Sequence, residues 1–140
     1  MPRIPIDKIY MQIAYQTAKL SYAERRKVGC IIIKDEQIVS FGYNGTPKGF
    51  DNCCEKNDCT LPSVLHAESN AITKIAKSTM SSNGATLYTT TSPCFDCAKL
   101  IIQAGIKEVY YSESYRNMDG VELLKEAGIK VEEVICWNDQ

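Results

Sequence analysis

Four side chains in two short segments could hold a metal ion and move a proton. They are His66 and Glu68 in LHAESNAITKIA, and Cys94 and Cys97 in SPCFDCAKL. His66 is the single histidine of the chain. Two thiolates and a neutral imidazole make three ligands for zinc, and a fourth position left to water is the arrangement of a catalytic site rather than a structural one. A carboxylate buried beside such a centre has its pKa raised, so it can accept a proton and deliver it elsewhere. The position of Glu68 asks for a role of that kind. Read as a helix, residues 64–78 carry an apolar stripe through Leu65, Ala71, Ile72, Ile75 and Ala76, and Glu68 falls inside it.

Each part has an ordinary reading as well. A CxxC alone fits structural zinc, a redox pair or coincidence. A lone histidine on a helix is more often a surface or satisfied core residue, and a lone glutamate on an apolar stripe can be a buried ion pair. The conjunction is more specific: HAE opening one helix and PCFDC opening the next match the H-x-E…P-C-x-x-C pattern of zinc deaminases. One conflict stands, since a regular helix sets His66 and Glu68 on nearly opposite sides. It is relieved if His66 sits in the first turn and reaches past the helix end.

The elements that must position these groups can be read from periodicity. Residues 6–20 form an amphipathic helix with Tyr10, Ile13, Ala14, Thr17 and Ala18 on one face. The β-branched runs 28–34 and 37–43 are separated by Asp35 and Glu36, which predicts a tight antiparallel hairpin. A loop rich in Gly, Pro, Asn, Asp and Cys spans 44–63, long enough to suggest function. A helix over 64–78, a strand over 85–91, a helix over 93–104, a strand over 108–113, a helix over 119–127 and a strand over 129–135 complete the chain. Ser92 suits the N-cap of the 93–104 helix, Pro93 its first position and Gly105 its stop. Cys94 and Cys97 then share the first turn, where the helix dipole favours thiolates. Alternation of strand and helix after the first hairpin argues for a mixed, mainly parallel sheet with helices on both faces. Sites in such sheets gather at the carboxyl ends of strands.

Composition bounds the partners. The 140 residues suit a single domain, 1–140, with 44% hydrophobic and 24% charged residues. A net charge of −1 offers no general attraction to nucleic acid or to anionic membrane, so neither is expected as a partner. No run approaches the roughly 18 apolar residues of a membrane span, and MPRIPIDKIY lacks the core of a signal peptide, so a cytoplasmic location is expected. Seven cysteines without a signal peptide point to metal or chemistry rather than a disulfide framework. Cys30, inside VGCIII, reads as a small buried hydrophobe.

HAESNAI, TTTSPCFDCAK and above all GYNGTPKGFDNCCE resemble the deoxycytidylate (dCMP) deaminases of the cytidine deaminase superfamily, from the first helix through the last strand. Phe95 stands where that family usually has proline, and the stretch between NCC and HAE is shorter than in many members. The resemblance implies a three-layer α/β/α sandwich around a five-stranded mixed sheet. It implies zinc-dependent hydrolysis of dCMP to dUMP and ammonia, serving pyrimidine deoxynucleotide metabolism and dTTP precursor supply. His66, Cys94 and Cys97 would be the ligands of one catalytic zinc, and Glu68 the proton shuttle. Asn44 and Ala67 would contact the nucleoside. A substrate phosphate needs cations, and Arg25, Arg26 and Lys27 before the first strand and Arg116 beside Tyr115 are available, with Lys48 a weaker candidate. Clusters such as ERRK are also common as plain solvated faces. Relatives often carry a second, structural zinc, for which Cys53, Cys54 and Cys59 are at hand. Many are hexamers or dimer-based homo-oligomers, activated by dCTP and inhibited by dTTP, with the effector near Gly42, Tyr43, Asn44 and Gly45. Alternatives are a deaminase of another cytosine substrate, dCTP alongside dCMP for example, or of a tRNA adenosine. A further alternative, of a different class, is a zinc-stabilised module without chemistry.

Overall fold

The β-branched runs near the N-terminus meet as an antiparallel pair, β1 (Gly29–Lys34) and β2 (Gln37–Tyr43), in a computed structural model that describes residues 3–136. Asp35 and Glu36 both take positive φ, 51° and 63°, the backbone of a two-residue hairpin whose twist suits its strands. The loop that follows is not irregular throughout. It contains a second small hairpin, β3 (Glu55–Lys56) and β4 (Cys59–Thr60), turned by Asn57 and Asp58, again at positive φ.

The main sheet runs in the order β2-β1-β5-β6-β7, where β5 is Thr86–Thr91, β6 is Glu108–Glu113 and β7 is Lys130–Glu133. The pairs β5–β6 and β6–β7 are parallel, whereas β1 pairs antiparallel with both β2 and β5. The sheet is mixed and mainly parallel as expected: β2, β5, β6 and β7 run one way and β1 alone runs against them, so two of the four neighbouring pairs are antiparallel. The reason is the connection from β2: it crosses over β1, so β5 runs parallel to β2 and antiparallel to the strand between them.

Alternate residues of the strands face two cores. Ile31, Ile33, Tyr88 and Tyr110 face α1 (Ile6–Ala18) and its Met11 and Ala14. Cys30, Ile32, Leu87 and Val109 face α2 (Ala67–Ala76), α3 (Phe95–Gln103) and α4 (Asp119–Glu126) through Ala71, Ala98, Ile101 and Leu124. This period-2 division is what a sheet covered on both sides requires, and it gives the three layers. Cys30 is a fully buried member of the second core, as its apolar setting implies. Gly42 lets β2 and α2 approach closely, because a Cβ there would lie 2.5 Å from the Ala67 carbonyl oxygen and 2.6 Å from the Ala71 nitrogen. Among the described residues no helix is long and apolar enough to cross a membrane.

Candidate active site

The helix that carries HAE begins later than its apolar stripe suggests. His66 is not a helical residue but the N-cap of α2, with an extended backbone at φ −74° and ψ 159°. This removes the conflict between His66 and Glu68. The imidazole leaves from the strand-like residue ahead of the helix, while Glu68 lies on the buried face with Ala67, Ala71 and Ile75. The carboxylate therefore points where a core residue would, and only 5% of the residue is exposed.

The second segment is shifted in the same sense. Ser92 is not the N-cap of α3; Cys94 is, and its sulfur accepts from the Cys97 backbone N–H at 3.5 Å. The chain stays extended through Pro93 because Ser92 is used elsewhere: its hydroxyl oxygen accepts from the Tyr115 N–H at 2.6 Å. Cys94 and Cys97 thus occupy the N-cap and third position of α3, still on one side of its N-terminus. Gly120, at the start of α4, packs against this turn so tightly that a Cβ would lie 2.3 Å from the Pro93 carbonyl oxygen.

The two helix starts converge. His66 Nδ1 is 3.4 Å from Cys94 Sγ and 3.4 Å from Cys97 Sγ. Ligands at ordinary zinc distances with a tetrahedral angle between them stand about 3.6 Å apart, so this donor set fits the metal. Among the described residues these three form the one group of histidine, cysteine and acidic side chains whose donor atoms gather closely enough to hold an ion. The sulfurs behave as a pair. A hydrogen bond from the Cys97 thiol holds Cys94 down to about 4, and the Cys94 thiolate in turn pushes Cys97 well above the ordinary thiol range. The hydrogen bond to that thiolate also raises His66. Burial pushes Glu68 up to about 7, the behaviour of a carboxylate out of water.

A cleft of about 660 Å³ opens beside this group. His66, Ala67, Glu68 and Cys94 line it, together with Asn44, Arg25, Arg26, Tyr115, Arg116, Thr91, Ser92 and Asn117. Asn44 is fixed by its neighbours: Nδ2 donates to the Arg26 carbonyl at 2.8 Å, and Oδ1 accepts from the Val28 N–H at 2.9 Å. The Asn-Gly pair therefore does more than turn the chain, for it fastens the segment that carries the arginines. Arg26 Nη2 donates to Glu113 Oε1 at 3.3 Å, and Arg25 Nη1 to Thr60 Oγ1 at 3.4 Å. Arg116 has no ion-pair partner among the described residues.

Several expected residues lie elsewhere. Lys27 does not line the cleft, because its ammonium group donates to the Ser21 carbonyl oxygen. Lys48 does not line it either. Of Gly42, Tyr43, Asn44 and Gly45, Asn44 alone does: Gly42 is packed on α2, the Tyr43 carbonyl accepts from Asn70, and Gly45 pairs with Leu65. Cys53, Cys54 and Cys59 do not gather as ligands; the Cys53 and Cys54 thiols donate to the carbonyls of Glu55 and Asn52. The small hairpin also contributes to the cleft, which the sequence around it does not announce. Glu55 and Thr60 line it, and Glu55 Oε2 accepts from the backbone N–H groups of Glu24 and Arg25 at 3.0 and 3.2 Å. The one signal for it in the sequence is Asn57–Asp58, a dipeptide suited to positive φ.

Comparison with known proteins is consistent with this geometry. The family described as "Cytidine and deoxycytidylate deaminase zinc-binding region" matches residues 5–113. The deoxycytidylate deaminase of Saccharomyces cerevisiae is 38% identical over 136 residues, which take in 89% of this chain and 43% of that protein. This chain therefore spans less than half the length of that relative. The deoxycytidylate deaminase of Enterobacteria phage T4 is 35% identical over 165 residues, 86% of each chain. The crystal structure of the dCMP deaminase from cyanophage S-TIM5 in complex with dCMP and dUMP superposes with a TM-score of 0.91 at 46% identity, covering 96% of this chain and all of that one.

Proposed function

From its membership of the cytidine and deoxycytidylate deaminase zinc-binding family, to which the chain belongs, we propose that it hydrolyses dCMP to dUMP and ammonia. The observation that carries this reading is Glu68, a buried carboxylate in the cleft lining, two residues from His66 but outside the cluster of His66, Cys94 and Cys97. A structural metal site has no use for such a group. The names of the yeast and phage T4 relatives, and the dCMP and dUMP bound to the cyanophage enzyme, support the choice of substrate.

In this reading His66, Cys94 and Cys97 would hold zinc, whose chemistry would be to make hydroxide available from water near neutral pH. With two thiolates and a neutral imidazole the loaded centre would carry no net charge, so an incoming base would meet no large field. Glu68 takes the proton released by water and gives it to N3 of the cytosine ring as C4 is attacked. It then takes the proton of the new C4 hydroxyl and delivers it to the exocyclic nitrogen, so that the C4 carbonyl forms as the C4–N bond breaks and ammonia leaves. A carboxylate raised towards neutrality by burial suits both transfers, since neither protonation state is then strongly preferred. Ala67, in the cleft lining, contacts the nucleoside, and Asn44 offers the second N–H of its amide to the sugar. Arg26 and Arg116 meet the phosphate, with Tyr115 beside them. The reading extends to a homo-oligomer under dCTP and dTTP control, which the resemblance implies and which sedimentation with and without each nucleotide checks.

The test is ammonia release by the zinc-loaded protein from dCMP, dCTP, CMP, deoxycytidine and cytosine in parallel. Turnover highest on dCMP is expected. No turnover on any of the five contradicts the reading.

A further inference from the structure

Arg26 lines the cleft but is not a free cation. Arg26 gives one guanidinium N–H to Glu113 Oε1 at 3.3 Å, across 87 residues of sequence, and keeps its other donors for the cleft. Glu113 ends β6 and is itself tied from below. Its other oxygen, Oε2, accepts from the Tyr15 hydroxyl of α1 at 2.7 Å, and Ser112 Oγ stands 3.0 Å from that hydroxyl. Burial raises Tyr15 to about 12, so it remains a donor throughout the neutral range. A helix on one face of the sheet therefore steadies a carboxylate at the strand end, and that carboxylate meets a guanidinium of the cleft.

The charge at this mouth is limited. The guanidiniums of Arg25, Arg26 and Arg116 stand there against the carboxylate of Glu55 in the wall and that of Glu113 on Arg26. A monophosphate finds a small net positive field and an oriented donor fork. A triphosphate brings more negative charge than this field offsets, and the Glu113 carboxylate on Arg26 adds to the repulsion. The pair itself is solvent-exposed, with 43% and 54% of the two side chains accessible, so Coulomb attraction between them is weak and does not withdraw the arginine from a ligand.

We infer that Glu113, held by Tyr15, is a specificity-determining residue that presents Arg26 to a single phosphate and opposes a longer polyphosphate. The inference rests on the reading that the cleft binds a cytosine nucleotide with its phosphate at Arg26. It is tested by kcat/KM for dCMP and for dCTP in the zinc-loaded protein, in Glu113→Gln and in Tyr15→Phe. Glu113→Gln keeps an acceptor and removes the charge, so the dCTP-to-dCMP ratio is expected to rise about tenfold or more. Tyr15→Phe leaves the carboxylate but frees it, and the ratio should rise by a smaller factor. A merely structural role would lower both substrates together. An unchanged ratio in Glu113→Gln, or a parallel loss on both, overturns the inference. Absence of turnover on both nucleotides by the unaltered protein overturns the functional reading itself, and this inference with it.

Discussion

His66 Nδ1 lies 3.4 Å from Cys97 Sγ although 31 residues separate them, and each sits at or within the first turn of its own helix. The contact exists because α2 and α3 both begin at the same end of the sheet, where partial positive charge at helix starts favours thiolates. Neither helix alone holds enough ligands, and their juxtaposition does.

The first prediction concerns that juxtaposition. Cys94→Ser removes a soft ligand and the sulfur that caps α3 through the Cys97 N–H. Zinc affinity should fall by more than the roughly 10–100-fold that attends loss of an outer-shell partner. Competition with a chromophoric chelator measures it, and an affinity within a few-fold of the unaltered protein would contradict the ligand assignment.

Asn44 should matter twice. Asn44→Ala leaves the Arg26 carbonyl and the Val28 N–H without their side-chain partner, at a cost of about 1–3 kcal/mol in stability. The loosened segment carries Arg25 and Arg26, so KM for dCMP should rise more than KM for deoxycytidine. Denaturant titration and steady-state kinetics report the two effects, and equal changes in KM would argue against a role in holding the arginines.

The burial of Glu68 predicts a pH-dependent penalty in metal-free protein. Its folded pKa, about 7, is above its unfolded value, so the fold prefers the protonated carboxyl. Below the unfolded pKa both states are protonated and nothing is lost. As pH rises towards 7 the unfolded chain ionises first, and stability declines until the folded group has titrated as well. Glu68→Gln lacks this decline, so after chelation it should exceed the wild type by up to about 3 kcal/mol at pH 8 and by little at pH 4. Unfolding at both pH values checks the sign; a constant gap would show that burial is not the cause.

Gly120 is a position where function and packing meet. Gly120→Ala drives a Cβ against backbone atoms of Pro93 and Cys94, which no side-chain rotation can relieve. A destabilisation of about 1–3 kcal/mol is expected, with faster release of zinc to a chelator as the turn at Cys94 moves. A melting temperature and release rate equal to the parent's would mean that α4 yields freely.

Much of this was legible in the sequence because the informative residues are local. HAE and PCFDC each pack their chemistry into a few positions, and the β1–β2 hairpin announces itself by two β-branched runs around Asp35–Glu36. Two helices, α2 and α3, start later than local preference alone dictates. Ser92 and Pro93 satisfy the local preferences for a helix start, but a tertiary hydrogen bond to the Tyr115 N–H holds Ser92 in extended chain. The two-residue strands β3 and β4 are too short to show alternation, so Glu55 and Thr60 were not placed in the cleft. In the ERRK cluster, chain position does not tell which cation faces the cleft. A backbone carbonyl at Ser21 takes Lys27, and a carboxylate 87 residues away takes Arg26. Sheet direction beside β1 likewise depends on where a long crossover lands, which no local pattern encodes.

The central claim is that Glu68 moves protons and does not hold the metal. The most direct measurement is ammonia release from dCMP by zinc-loaded Glu68→Gln, with bound zinc determined on the same sample. Full zinc with turnover lowered about 10²–10⁴-fold is the predicted result. Turnover within a few-fold of the unaltered enzyme, at full zinc, would contradict it.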